Sequence, residues 1–206
     1  MDIAGVDLVL IGHSLGGLVS TYIAEHLTSK LVCRPTEHAD RSLGSVHVRV
    51  RGVVAISAPI GGSVLLAWLR DTLPRSLFPV PVLGINPFRG IGRDFCPDAR
   101  TILRLRAKVA ASEDRLREQR DAVPTASPLS RDEDACRLFI SGACDPLVLP
   151  PSALAHPEIN TTNTAGYSRV LVPHCGHYSI KISTVTWTAI LKFVEQTVPH
   201  LNATES

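Results

Sequence analysis

A chain of 206 residues that is 45% hydrophobic and 19% charged is long enough for one domain with a real core, which excludes a disordered or collagen-like chain. The formal net charge of +2 is too small to mark a nucleic-acid surface, and the few aromatic residues, 5% of the chain, are not interleaved with basic ones as base stacking requires. Nucleic acid is therefore set aside as a partner.

Taken in chain order, the first residues carry Asp2 and Asp7 and no basic start, so they do not read as a secretory leader. Val6 to Ile11 is an apolar strand, and Gly12-His13-Ser14-Leu15-Gly16 turns it into a helix over Leu15 to Lys30, with Leu18, Tyr22, Ile23 and Leu27 at helical spacing. Gly12 and Gly16 are expected to be glycine because side chains there would collide where strand and helix meet at a sharp angle. A polar loop is expected from Cys33 to Ser45. Val46 to Ile56 then reads as a second buried strand, stopped by Ser57-Ala58-Pro59 and Gly61-Gly62.

Residues 63–134 change character. A helix start is followed by an apolar stretch punctuated by Pro74, Pro79, Pro81, Gly84, Pro87, Gly90 and Gly92, then by a long charged helix from about Ala99 to Arg120. The stretch reads as a cap or lid insertion. Ile102, Leu103, Leu105, Val109 and Leu116 make an uneven stripe on the charged helix, favouring a solvated helix packed on the body, with a membrane-surface or partner helix as the alternative. From Arg137 the alternation resumes: strand Leu138–Ser141, loop Gly142–Pro151, strand Arg169–Val172, loop Pro173–His177 and a closing helix from Ser179 to Val198. Strand and helix alternate, so the fold class is α/β with a mainly parallel sheet whose strand C-termini should hold the site. One domain spanning 1–206 is expected.

The five cysteines, Cys33, Cys96, Cys136, Cys144 and Cys175, show neither a disulfide framework nor zinc spacing, so reduced thiols, no metal and no cofactor are expected. Val53 to Leu69 is broken by Pro59, Gly61 and Gly62 and falls short of the ~20 residues a membrane helix needs. A cytoplasmic or peripheral membrane location is favoured, and the glycosylation patterns at Asn160 and Asn202 are read as chance matches.

Three loops, each after a predicted strand, supply Ser14, Asp145 and His177 in that order. A serine hydroxyl is a poor nucleophile at neutral pH; it needs an imidazole to take its proton and a carboxylate to hold that imidazole in the right tautomer. The three residues are thus candidate nucleophile, orienting acid and general base, and the N–H of Leu15 is a candidate oxyanion-hole donor. His174 competes with His177, and Asp94 and Asp98 are the reserve acids.

Ile11-Gly-His-Ser-Leu-Gly-Gly-Leu-Val19 and Val53-Val-Ala-Ile-Ser-Ala-Pro-Ile-Gly-Gly-Ser63 resemble the α/β-hydrolase superfamily, nearest to its lipase-like serine esterases. The Asp145 and His177 loops are similar to the acid and histidine loops of that superfamily. The resemblance covers residues 6–62 and 137–198 well, and 63–134 only as a cap or lid. It implies hydrolysis of carboxylic (acyl or lipid) esters through an acyl-enzyme, with Leu66, Trp68, Leu69, Leu77, Phe78, Val80, Val82, Leu83 and Phe88 as candidate acyl-pocket or lid residues.

The resemblance also implies a partial fold. The nucleophile strand of that superfamily is the fifth of eight, so only strands five to eight are read here, and the second oxyanion donor belongs to a loop after strand three. Without that strand, Val6 to Ile11 is expected to be an apolar sheet edge, open to association with another chain. Met1, the only methionine, stands just ahead of the motif, so the sequence is expected to be the C-terminal catalytic half of a longer hydrolase. The rival expectation is a catalytically impaired or non-catalytic remnant. Loss of one oxyanion donor costs ~10²–10³ in turnover in a serine protease.

Overall fold

The computed structural model describes residues 6–26, 31–33, 46–72, 93–122, 135–155 and 166–198. Strand β1 (Val6–His13) runs into helix α1 (Leu15–His26), followed by a short β2 (Leu31–Cys33) and the long β3 (Val46–Ile56). Then come α2 (Val64–Thr72), α3 (Arg100–Ala122), β4 (Cys136–Gly142), α4 (Pro150–Ala153) and β5 (Tyr167–Val172). A 3₁₀ turn (Ser179–Ile182) and α5 (Thr184–Thr197) close the described chain.

The sheet order is β1-β3-β4-β5, and all three of those pairings are parallel. β2, which lies between the predicted helix and the predicted loop and overlaps the loop only at Cys33, pairs antiparallel with β3. Val48 pairs with Val6 on one side and with Leu31 on the other, so β2 fills the stretch of β3 that β4, pairing only from Gly52 onward, leaves open. The sheet is α/β and mainly parallel, as the alternation of elements predicts, and among the described residues β1 has no neighbour on its outer side.

Burial explains why these runs became strands. In β3, Val54 and Ile56 point to one face while Ala55 points to the other; in β4, Leu138 and Ile140 oppose Phe139 in the same way. A run apolar at every position is what a parallel strand covered on both faces requires. One face packs Val54, Ile56, Leu138, Ile140 and Val172 against Ile190 and Phe193 of α5. The other packs Ala55, Phe139 and Tyr167 against Leu18 of α1 and against Ile102, Leu105, Val109 and Leu116 of α3. Four residues of the uneven stripe, Ile102, Leu105, Val109 and Leu116, are therefore core, while Leu103 is exposed and Ser112, outside the stripe, is buried.

Between the helices and the sheet, two buried arginines take the place of apolar contacts. Arg137 of β4 meets Glu25 of α1 at 2.6 Å, both side chains at least 96% buried, and Arg169 of β5 holds Glu113 of α3 through two bonds of 3.1 and 2.6 Å. The Tyr167 ring lies 5.1 and 5.8 Å from the two guanidinium carbons. Each guanidinium is paired and bonded, the condition under which a buried charge is tolerated.

Strand β1 is less uniformly apolar than the sequence reading has it. Asp7 reaches Arg51 at 3.2 Å and Arg49 at 3.6 Å. A bulge makes this double contact feasible: Leu8 pairs with Val50 and Val9 with Gly52, leaving Arg51 as the extra residue. Val6 and Ile11 nonetheless stay exposed. Parts of the stretch read as a cap or lid, residues 73–92 and 123–134, lie outside the described residues, as do Asn160 and Asn202.

Candidate active site

The site is built where β1, β3, β4 and β5 end. At the ends of β1, β3 and β4 a backbone N–H beyond the strand bonds to a carbonyl near the end of the next strand: Ser14 to Ile56 at 2.8 Å, Ser57 to Ile140 at 2.7 Å, and Ala143 to Val172 at 2.9 Å. The loops are thus stepped across the sheet, each fastened to its neighbour. Ser14 sits at the first step in the left-handed region, φ 53°, a conformation rare for a residue with a Cβ. That kink is closed tightly. A Cβ on Gly12 would lie 2.3 Å from the backbone of Gly16, which explains the glycine at 12.

Gly16, in contrast, faces open space; the second close contact falls on Gly17, whose Cβ would lie 2.7 Å from that of Ala58 and 2.8 Å from the carbonyl of Gly12. The motif spacing therefore points to the wrong glycine of the pair. Gly17→Ala is expected to cost about 1–3 kcal/mol by overpacking, whereas Gly16→Ala should be neutral or stabilising by up to ~1 kcal/mol through helix propensity. Urea melts of the two variants decide this, and equal midpoints would refute it.

The three predicted side chains meet in series. His177 Nε2 lies 3.0 Å from Ser14 Oγ, and His177 Nδ1 lies 2.9 Å from Asp145 Oδ2. A carboxylate only accepts, so Nδ1 carries the ring proton and Nε2 is left to receive the one from Ser14. The other carboxylate oxygen accepts the N–H groups of Leu147 at 2.9 Å and Val148 at 3.0 Å. Burial opposes the Asp145 anion. The bonds from His177 and Val148, with a smaller contribution from the buried Ser57 hydroxyl, outweigh it and hold the carboxyl below the usual carboxylate range. Ser57 itself has φ 44° and an Oγ without a full hydrogen-bond partner.

The competitors are not brought to the relay. His174 is exposed on its loop with φ 57°. Asp98 binds Arg70 at 2.9 Å, and Asp94 is exposed. Leu15 opens α1, so its N–H is one of the first helical donors that have no intrahelical carbonyl, at the positive end of the helix. The edge of the Tyr178 ring meets the His177 ring, with centroids 5.2 Å apart and planes at 89°.

A cavity of about 90 Å³ opens onto Ser14 and His177, walled by Leu65, Leu66, Leu69, Phe95 and Val148. Of the candidate pocket residues, Leu66 and Leu69 take this position. Trp68 is 56% exposed, and Leu77, Phe78, Val80, Val82, Leu83 and Phe88 lie outside the described residues. A larger cavity of about 740 Å³, between Val64, α3 and α4, is lined by none of Ser14, Asp145 and His177. Cys136, Cys144 and Cys175 are free thiols, and no cluster among the described residues is suited to hold a metal ion. Among those residues no helix is long and apolar enough to cross a membrane.

The model of the alpha/beta hydrolase family matches residues 2–181. Among solved structures, a serine hydrolase involved in carbazole degradation, the CarC enzyme, is 18% identical with a TM-score of 0.40; the match covers 95% of this chain and 66% of that one. A monoacylglycerol lipase of Paleococcus ferrophilus is 17% identical with a TM-score of 0.43, covering 95% of this chain and 69% of the lipase. The chain thus spans about two thirds of the length of these structures. No curated protein matches it.

Proposed function

The chain belongs to the alpha/beta hydrolase family, and from that premise we propose that it is a serine hydrolase that cleaves carboxylic esters through an acyl-enzyme. The observation that carries this reading is the unbroken Ser14–His177–Asp145 relay, with links of 3.0 and 2.9 Å. The apolar walls of the adjoining cavity suit an acyl group.

In the proposed cycle Ser14 Oγ attacks the ester carbonyl carbon while its proton passes to His177 Nε2. Asp145 stabilises the imidazolium, and the N–H of Leu15 donates to the oxyanion. Collapse of the tetrahedral intermediate breaks the ester C–O bond, and the departing alcohol takes the proton from His177. Water then attacks the acyl-enzyme, giving its proton to His177. The second collapse releases the carboxylic acid and returns that proton to Ser14.

A fluorophosphonate probe is expected to label this chain at one site, located by peptide mass spectrometry at Ser14, and p-nitrophenyl butyrate to be hydrolysed with a pre-steady-state burst. Butyrate should be turned over faster than palmitate, since the 90 Å³ space beside Ser14 is small. Absence of labelling together with absence of a burst would overturn the reading.

A further inference from the structure

The nucleophile's own neighbour also reaches the base. His13, the last residue of β1, places its Nε2 2.7 Å from the backbone oxygen of His177. We infer that His13 is a positioning residue, tying the peptide that carries the base to the strand that carries the nucleophile. The inference rests on the serine hydrolase reading above and assigns a role within the same site.

The geometry gives the bond a direction. A carbonyl oxygen only accepts, so His13 Nε2 holds the proton and donates it. Because His13 and Ser14 are consecutive, the distance between nucleophile and base is set through one peptide unit and one hydrogen bond. The rest of the loop is held by other bonds: the Cys144 N–H to the Cys175 oxygen at 2.9 Å, the Gly176 N–H to Ser179 Oγ at 2.9 Å, and the Ile180 N–H to the Gly176 oxygen at 3.2 Å. These fix residues 175, 176 and 180. The bond from His13 lands on residue 177.

Charge favours the same role. The His13 and His177 rings are 4.8 Å apart, so a cationic His13 would oppose the imidazolium that His177 must become. Burial first, with help from the nearby His177 and Lys181, lowers the affinity of His13 for a second proton, against opposing contributions from its bond to His177 and from Asp145. A neutral imidazole keeps the donor without adding the charge. His13 therefore braces the base and takes no part in proton transfer.

The test compares His13→Gln, His13→Asn and His13→Phe. A glutamine amide nitrogen occupies the place of Nε2 and reaches the carbonyl; the shorter asparagine amide does not, and phenylalanine has no donor. With p-nitrophenyl butyrate, Asn and Phe should lower kcat about ten- to a hundredfold with KM changed less than about threefold, the size expected when a reacting group is misplaced by around 1 Å. Gln should stay within about threefold of the parent. The rate of fluorophosphonate labelling at Ser14 should follow the same order. Gln and Asn being equally active, or equally impaired, would overturn the inference even if the phenylalanine variant does not fold. Failure of the parent chain to label would instead overturn the hydrolase reading, so the two failures are distinct.

Discussion

Ser14→Ala is expected to remove fluorophosphonate labelling completely and to lower ester turnover by about 10⁴-fold or more, with a circular dichroism spectrum and melting temperature close to the parent's. The magnitude follows from the role: without Oγ there is no group to form the acyl-enzyme, and what remains is catalysis by binding and the oxyanion donor alone. The fold should tolerate the change because alanine retains the bond from the residue-14 N–H to the Ile56 oxygen and requires no larger volume. Labelling that persists in Ser14→Ala, or turnover within tenfold of the parent, would remove Ser14 from the reaction.

Asp145→Asn should lower kcat by about 10⁴-fold, the loss seen when the same exchange is made in a serine protease triad. The geometry gives the reason. Oδ1 accepts two N–H groups, from Leu147 and Val148, so the amide oxygen of asparagine must take that side. Its NH₂ group then faces His177 Nδ1, where Oδ2 had accepted at 2.9 Å, and it can only donate. The ring proton is driven to Nε2, which can no longer take the proton of Ser14. A kcat within tenfold of the parent would exclude this role.

Stability carries a second signature of the same carboxylate. Its folded-state affinity for a proton is depressed, so the stabilisation it contributes is fully present above the ordinary carboxylate pKa and is lost as pH falls through the lower folded value. The difference in unfolding free energy between the parent and Asp145→Asn should thus be widest near pH 7 and close below about pH 4.

How much of this was legible in the sequence depends on the length of each signal. Val6 to Ile11 followed by Gly12-His13-Ser14-Leu15-Gly16 is a long apolar run joined to a motif with a steric cause, and both the strand and the elbow stand where they were read. Three residues of β2 are too few for any period, and their partners Val46, His47 and Val48 are distant in sequence. Pro150 and Pro151 fall at the end of the predicted loop Gly142–Pro151, yet they open α4, because the first helical positions need no N–H donor. The closing helix splits at Ser183, whose ψ of 127° is extended, a change that the sequence pattern does not mark.

At the site, Asp145 was read ahead of Asp98 because it follows a strand of the parallel sheet, whereas His174 and His177 share the loop after β5 and only the geometry separates them, with His177 Nδ1 2.9 Å from Asp145 and His174 exposed. Gly17 and His13 were missed for a shared reason. Their importance depends on what lies opposite them, Ala58 and the His177 backbone, and neither is near in sequence. The signal for His13 was present all the same, as an imidazole beside the candidate nucleophile Ser14.

The stepped bonds at the strand ends carry a consequence for how such a site diversifies. Ser14, Ser57 and Ala143 are each anchored by their own amide to a carbonyl of the adjacent strand, and an amide is common to every residue but proline. On the proposed function, accuracy is therefore vested in the main chain, while discrimination is left to Leu65, Leu66, Leu69 and Phe95, which hold none of those anchors. Natural variation can redraw the walls around Ser14 without disturbing the main-chain alignment of the three loops.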